Sequence, residues 1–215
     1  MKCIFCHHSD KNYIPNYVLY YVEKLSKYLD VTIITNRREI DNPIGEIYLY
    51  NNEGYDFGMY SKHITQPFNE PLFLINDSTI LFNDPGELIK KILEIDADLV
   101  GITSSNEIKP HIQSYWWVLY PNIQGHFIKY LSDMGVKKEY IDVIHTYEIG
   151  FCEYIRSLGY KLGSIYNEES SLNPMIHKAD IISDIAPLVK KRINYKSIIE
   201  NKKEDTLNLN YLYEN

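Results

Sequence analysis

The chain has 215 residues, 45% of them apolar, and a formal net charge of −7. That length gives one domain with a sizeable core, the apolar share excludes wholesale disorder, and the acidic balance excludes a broad nucleic-acid footprint. Three cysteines (Cys3, Cys6 and Cys152) make no disulfide framework, and neither an apolar leader nor a run of about 18 apolar residues is present, so the expectation is a cytoplasmic protein without a membrane span.

Residues 2–7 read as a first strand carrying Cys3-x-x-Cys6, followed by His7 and His8. The motif invites a zinc reading. Strand side chains alternate, however, so Cys3 and Cys6 point to opposite faces, and no second Cys/His pair follows at finger spacing. A core strand is the better reading. His7 and His8 fall at its C-terminal end, where open α/β sheets bind ligands.

Residues 14–29 form an amphipathic helix with Ile14, Val18, Val22, Leu25 and Leu29 at helical spacing. Strands follow at 31–35 and 46–50. Strand, helix, strand with short connections predicts a parallel α/β sheet. In "NNEGYDFG", residues 51–58, Asp56 can cap a short helix starting at Phe57, and the glycines can let backbone approach a ligand, with Lys62 as a further polar contact.

Residues 71–76 are the next strand, and Asn76-Asp77-Ser78 closes it. A polar turn explains this triplet. So does a divalent-metal and diphosphate site, since hard oxygen ligands suit Mg²⁺ or Mn²⁺. A helix starts with Asp84 as N-cap, Pro85 at its first position and Glu87 closing a capping box.

Strands are then predicted at 97–105 and 111–120, helices at 122–134 and 137–158, and a last strand at 159–166. The aromatic strand sets His111, Gln113 and Ser114 beside Trp116, a combination that suits core and sugar stacking alike. In the second helix the stripe Ile141, Ile144, Glu148, Phe151 or Cys152, Ile155 and Leu158 is apolar except for Glu148. A carboxylate on a buried face must be paired or used. It reads either as structurally bonded or as a catalytic base. One domain is expected over 1–200, with a loose tail at 201–215.

The blocks "NNEGYDFGMYSKHI", "FLINDSTILF", "DADLVGITSS", "HIQSYWWVL", "TYEIGFCEYIRSLGY" and "NPMIHKADIISDIAPLVK" occur in that order. Together they resemble the rhamnan-synthesis type glycosyltransferases of bacterial polysaccharide loci and large algal DNA viruses. The resemblance spans roughly residues 45–190. It implies a GT-A type fold: a Rossmann-like, mixed, mostly parallel central sheet flanked by helices, with a nucleotide-sugar half at about 1–105 and an acceptor half at about 106–200. It further implies transfer of a sugar, rhamnose by analogy, from a UDP-, GDP- or dTDP-sugar (UDP favoured) to a glycan acceptor. In a virus the setting would be the host cytoplasm, and the chain would be part of a larger multidomain protein.

The family's Asp-x-Asp metal motif is degenerate here, with Asn76-Asp77-Ser78 supplying one carboxylate. The resemblance makes Asp77 and His177 the metal ligands for Mn²⁺ or Mg²⁺. It places His7, His8, Thr35, Asn36, Tyr55, Asp56, Lys62, Asn76, Ser78 and Lys190 around the donor. It places His111, Gln113, Ser114 and Trp116 on the acceptor side, with Glu148 as candidate base. A nucleotidyltransferase and a non-catalytic nucleotide- or sugar-binding domain are the alternatives.

Overall fold

A computed structural model describes residues 1–11, 13–37, 45–51, 53–193 and 195–203. In chain order the elements are β1 (Lys2–His7), α1 (Asn16–Leu25), β2 (Asp30–Thr35), β3 (Glu46–Leu49), α2 (Tyr55–His63), β4 (Leu72–Asn76), β5 (Thr79–Leu81), α3 (Gly86–Leu93), β6 (Leu99–Ser105), β7 (His111–Ile112) and β8 (Trp116–Leu119). There follow α4 (Pro121–Met134), α5 (Tyr140–Val143), a π-helical turn (Ile144–Ile149), α6 (Gly150–Ser157), β9 (Leu162–Tyr166), α7 (Pro174–His177), α8 (Ala179–Ile185), β10 (Leu188–Lys190) and α9 (Lys196–Lys202).

The large sheet runs β3-β2-β1-β4-β8-β6-β7, with β9 beside β6. β1 pairs in parallel with β2 and β4, β2 with β3, and β6 with β9, whereas β8 is antiparallel to both its neighbours. This is the mixed, mostly parallel sheet flanked by helices that the pattern predicts. Strand alternation divides the core into two layers. Cys3, Phe5, Phe73, Ile75 and Trp116 pack against α1 and α3 on one face. Ile4, Cys6, Leu72, Leu74 and Trp117 pack against α2, α4 and α6 on the other. Cys3 and Cys6 thus point apart as expected, and all three cysteines are free and buried.

Several expectations are corrected. The aromatic strand 111–120 is broken at Gln113–Tyr115 into β7 and β8. The helix at 137–158 contains the π-helical turn, which rotates the buried face. Val143, Tyr147 and Ile149 are therefore buried, while Ile141 and Leu158, predicted in the buried stripe, are exposed. α3 is assigned from Gly86, one residue later than expected, while Asp84 accepts from the Gly86 amide at 2.9 Å, the bond that a cap at Asp84 makes. Beyond residue 167 the chain continues through β10, which pairs antiparallel with β5, and through α9, whose Ile199 is fully buried. Residues 204–215 of the expected tail lie outside the described residues. No helix among those described is long and apolar enough to cross a membrane.

Candidate active site

β1 and β4 are parallel neighbours with Cys6 opposite Asn76, so both strands end at one edge of the sheet. The chain turns there through Asp77 and Ser78 into β5. The Asp77 amide bonds the Cys6 carbonyl at 3.1 Å, which fixes the corner against β1.

Three donors converge on Asp77 Oδ2: His7 Nδ1 at 2.8 Å, the Tyr17 hydroxyl at 3.1 Å and the Lys191 ammonium at 3.1 Å. Lys191 also donates to the Tyr17 hydroxyl at 2.6 Å. Burial alone would raise the Asp77 pKa, but the His7 bond and Lys191 outweigh it and hold the carboxyl below its ordinary range.

A second layer adjoins this triad. Asn76 donates to Asp56 Oδ2 at 2.7 Å and accepts from the Ser78 hydroxyl at 2.5 Å. The Lys190 ammonium donates to Ser78 Oγ at 3.1 Å and sits 5.3 Å from the Tyr115 ring centroid. Burial pushes the Asp56 carboxyl up to about 6, only partly offset by its bonds to Asn76 and the Phe57 amide. Burial likewise lowers the Lys190 pKa, against the opposing pull of Glu148 and Asp56.

Glu148 lies close to this layer, since it bonds Ser114, the neighbour of the Tyr115 that Lys190 faces. It projects from the π-helical turn into the β7–β8 break, where it accepts from the Ser114 amide at 2.6 Å. Its other oxygen lies 3.2 Å from His111 Nε2. His111 Nδ1 is 2.7 Å from the Lys109 carbonyl, which can only accept, so Nδ1 carries a proton. Nε2 then meets a carboxylate favourably only if one more proton lies between them. The pair therefore holds a proton. Burial opposes both charges, yet their mutual attraction leaves His111 raised and Glu148 lowered.

Other predicted residues lie elsewhere or do structural work. His8 is half-buried at the end of β1, with burial lowering its pKa. Thr35 is buried and accepts from the Arg37 amide, and Asn36 forms a two-way bond pair with the Ser9 backbone. Lys62 is bound to Asn51 and Glu53 of the preceding loop. Tyr55 is exposed beside Tyr140 with a left-handed φ of 57°. Gln113 joins a buried network with Thr103 and Asn173.

Trp116 is wholly buried, which corrects its assignment as a sugar platform. The glycines of "NNEGYDFG" also serve the chain itself: a Cβ on Gly58 would lie 1.7 Å from the Glu53 carbonyl oxygen. Tyr17 and Lys191 were not singled out by the sequence reading. The run Lys190-Lys191-Arg192 beside a strand was the available signal for Lys191.

A divalent ion does not fit this donor set. The triplet's one carboxylate already receives an ammonium, and the Asn76 carbonyl oxygen is held by Ser78. His177 is exposed at the end of α7. Among the described residues no group of three His, Cys, Asp or Glu side chains is placed to hold a metal.

A family model described as "Rhamnan synthesis protein F" matches residues 34–214. No curated protein matches the sequence. Among solved structures, HddC from Yersinia pseudotuberculosis is similar at TM-score 0.52 and 12% identity, over 94% of this chain and 100% of that one. A candidate glucose-1-phosphate thymidylyltransferase from Bacillus anthracis, in complex with a sucrose, reaches TM-score 0.50 and 13% identity over 93% and 98%. A glycosyltransferase involved in glycosylation of the major capsid of PBCV-1 gives 0.46 and 10% over 94% and 99%. At these identities the first two likenesses speak to the fold alone, and the fold is the GT-A, Rossmann-like arrangement.

Proposed function

Because this chain belongs to the rhamnan synthesis protein F family, we propose that it is a glycosyltransferase that moves a sugar from a nucleoside-diphosphate donor to a glycan hydroxyl. The observation that carries this reading is the joining of His7 to Asp77 at 2.8 Å where two adjacent parallel strands end. In an open α/β sheet that edge is the ligand crevice. The donor would lie along His7, His8, Asp56 and the Asn76-Asp77-Ser78 corner, with Lys190 towards its phosphates. The family's name points to rhamnose, and UDP is the carrier to test first, ahead of GDP and dTDP. Mn²⁺ or Mg²⁺ on Asp77 and His177 lacks a supporting donor set and forms no part of this reading.

The acceptor would approach from His111, Gln113, Ser114 and Glu148. Glu148 accepts from His111 and from both the amide and the hydroxyl of Ser114, and its two carboxylate oxygens have capacity for one further donor, the acceptor hydroxyl. That hydroxyl oxygen attacks the anomeric carbon and the bond to the donor phosphate breaks, its electron pair leaving with the nucleoside diphosphate. The hydroxyl proton passes to Glu148, whose base strength is set by His111.

A nucleotidyltransferase is the second reading, favoured by the likeness in fold to the candidate thymidylyltransferase. Titrating UDP, GDP, dTDP and their sugars by calorimetry, with and without Mn²⁺, tests the proposal. Binding of at least one supports it, and no binding under any condition overturns it.

A further inference from the structure

The corner that should ligate a metal is instead built around two ammonium groups. Lys191 lies against Asp77 and Tyr17, and Lys190 against Ser78 and the Tyr115 ring. We infer that Lys190 and Lys191 form the cationic half of a diphosphate-binding site that works without a divalent metal, with Asp77 holding Lys191 in place instead of ligating an ion. The inference rests on the nucleotide-sugar reading above and specifies how the donor's phosphates are met.

Four observations support it. First, Asp77 Oδ2 already carries three donors, one of them a full positive charge. A divalent cation bound to that oxygen would sit beside an ammonium in a largely buried setting, where like charges repel strongly. Second, Lys190 has one hydroxyl acceptor and one aromatic face but no ion pair among the described residues. An ammonium has three donors, so two N–H bonds of Lys190 are available to an anion.

Third, both lysines are held by backbone. Lys190 pairs with Thr79 across the β10–β5 ladder, and the Lys191 amide bonds the Ser78 carbonyl at 3.1 Å. Pre-positioned cations are the arrangement that stabilises charge on a leaving phosphate. Fourth, Asp77 offsets one of the two ammonium charges, so the corner keeps one net positive charge, carried in effect by Lys190, to face a nucleotide-sugar diphosphate whose two phosphates carry one negative charge each. Asp56 and Glu148 face Lys190 from α2 and the π-helical turn, but each is already bonded, to Asn76 and to Ser114 with His111 respectively.

The test is calorimetric titration of UDP, GDP and dTDP into the full chain, in buffer with EDTA and again with Mn²⁺. We expect affinities within about threefold of each other in the two buffers. Lys191→Gln and Lys190→Gln should each weaken binding by about tenfold or more in EDTA. Asp77→Asn, whose amide oxygen still accepts from Lys191 while a negative charge beside the phosphates is removed, should bind at least as tightly as wild type, whereas a metal ligand so altered would lose metal-dependent binding. Binding that appears only with Mn²⁺, or that Asp77→Asn abolishes, overturns the inference and leaves the glycosyltransferase reading standing. Binding in EDTA that neither lysine variant weakens also overturns it. No binding in either buffer overturns the glycosyltransferase reading, and this inference with it.

Discussion

The Lys191 ammonium stands 3.1 Å from the Asp77 carboxylate although 114 positions separate the two residues in sequence. The turn after β4 is thereby fastened to the segment after β10, and the site's charge balance depends on both.

Asp77 is accordingly a stability residue. Its partners His7 and Tyr17 are buried, so Asp77→Ala leaves donors without an acceptor. The expected loss is about 3 kcal/mol at neutral pH. The folded-state pKa lies below the ordinary aspartate value of 3.8, so the contribution is present above about pH 4 and fades as pH falls through the folded pKa. Urea unfolding of both proteins from about pH 7 down to pH 3.5 should show the gap narrowing only at the acidic end.

Asp56 behaves in the opposite sense. Its carboxyl titrates at about 6 in the folded chain against 3.8 in the unfolded reference, so the folded state binds the proton more tightly. Ionising it above about pH 6 costs about 3 kcal/mol, a penalty absent below about pH 4. Asp56→Asn should therefore unfold at higher urea than wild type near pH 7.5, and show no such gain near pH 4. Equal midpoints near pH 7.5 would show that Asp56 is not held in this way.

The His111–Glu148 pair has its own window. Raised His111 contributes stability that is complete below its unfolded pKa near 6.5 and lost as pH rises through the folded value. Lowered Glu148 contributes above about 4.5 and loses this as pH falls. The two overlap between about pH 4.5 and 6.5. The difference in melting temperature between wild type and His111→Gln should be largest there and shrink by about pH 8.5.

In catalysis, Glu148→Gln should lower transfer by about 10²- to 10⁴-fold, the range of a lost general base, while donor affinity changes by less than about threefold. Full transfer activity in Glu148→Gln would remove it as the base.

Gly58 has a steric role. Its added Cβ would meet the Glu53 carbonyl oxygen at 1.7 Å, a backbone atom that cannot swing aside. Gly58→Ala should destabilise the chain by about 3 kcal/mol or more in urea unfolding, with the loop that holds Lys62 displaced.

The legible parts of this fold are those set by local period. The α1 stripe from Val18 to Leu25, the opposite faces of Cys3 and Cys6, and the emergence of Asp77 at a strand end all follow from spacing. What spacing does not carry is contact between distant segments. β10 has three residues and little pattern of its own, and its pairing with β5 decides where Lys190 and Lys191 lie. The π-helical turn shifts the register between the two ends of this helix, so a stripe drawn at 3.6 residues per turn back from Ile155 names Ile141 and misses Val143 and Tyr147, while Leu158 is exposed because α6 ends at Ser157. Trp116 and Trp117 sit side by side in sequence but are buried on opposite faces of β8. That outcome follows from strand alternation once both faces are covered.

The most direct test of the proposed reaction follows the phosphorus products by NMR. The full chain is incubated with UDP-, GDP- and dTDP-sugars, rhamnose donors included, and separately with nucleoside triphosphates plus sugar 1-phosphates. The glycosyltransferase reading predicts nucleoside diphosphate from at least one sugar donor and no pyrophosphate from any mixture. Pyrophosphate from a triphosphate and a sugar 1-phosphate, with every sugar donor left intact, would contradict it.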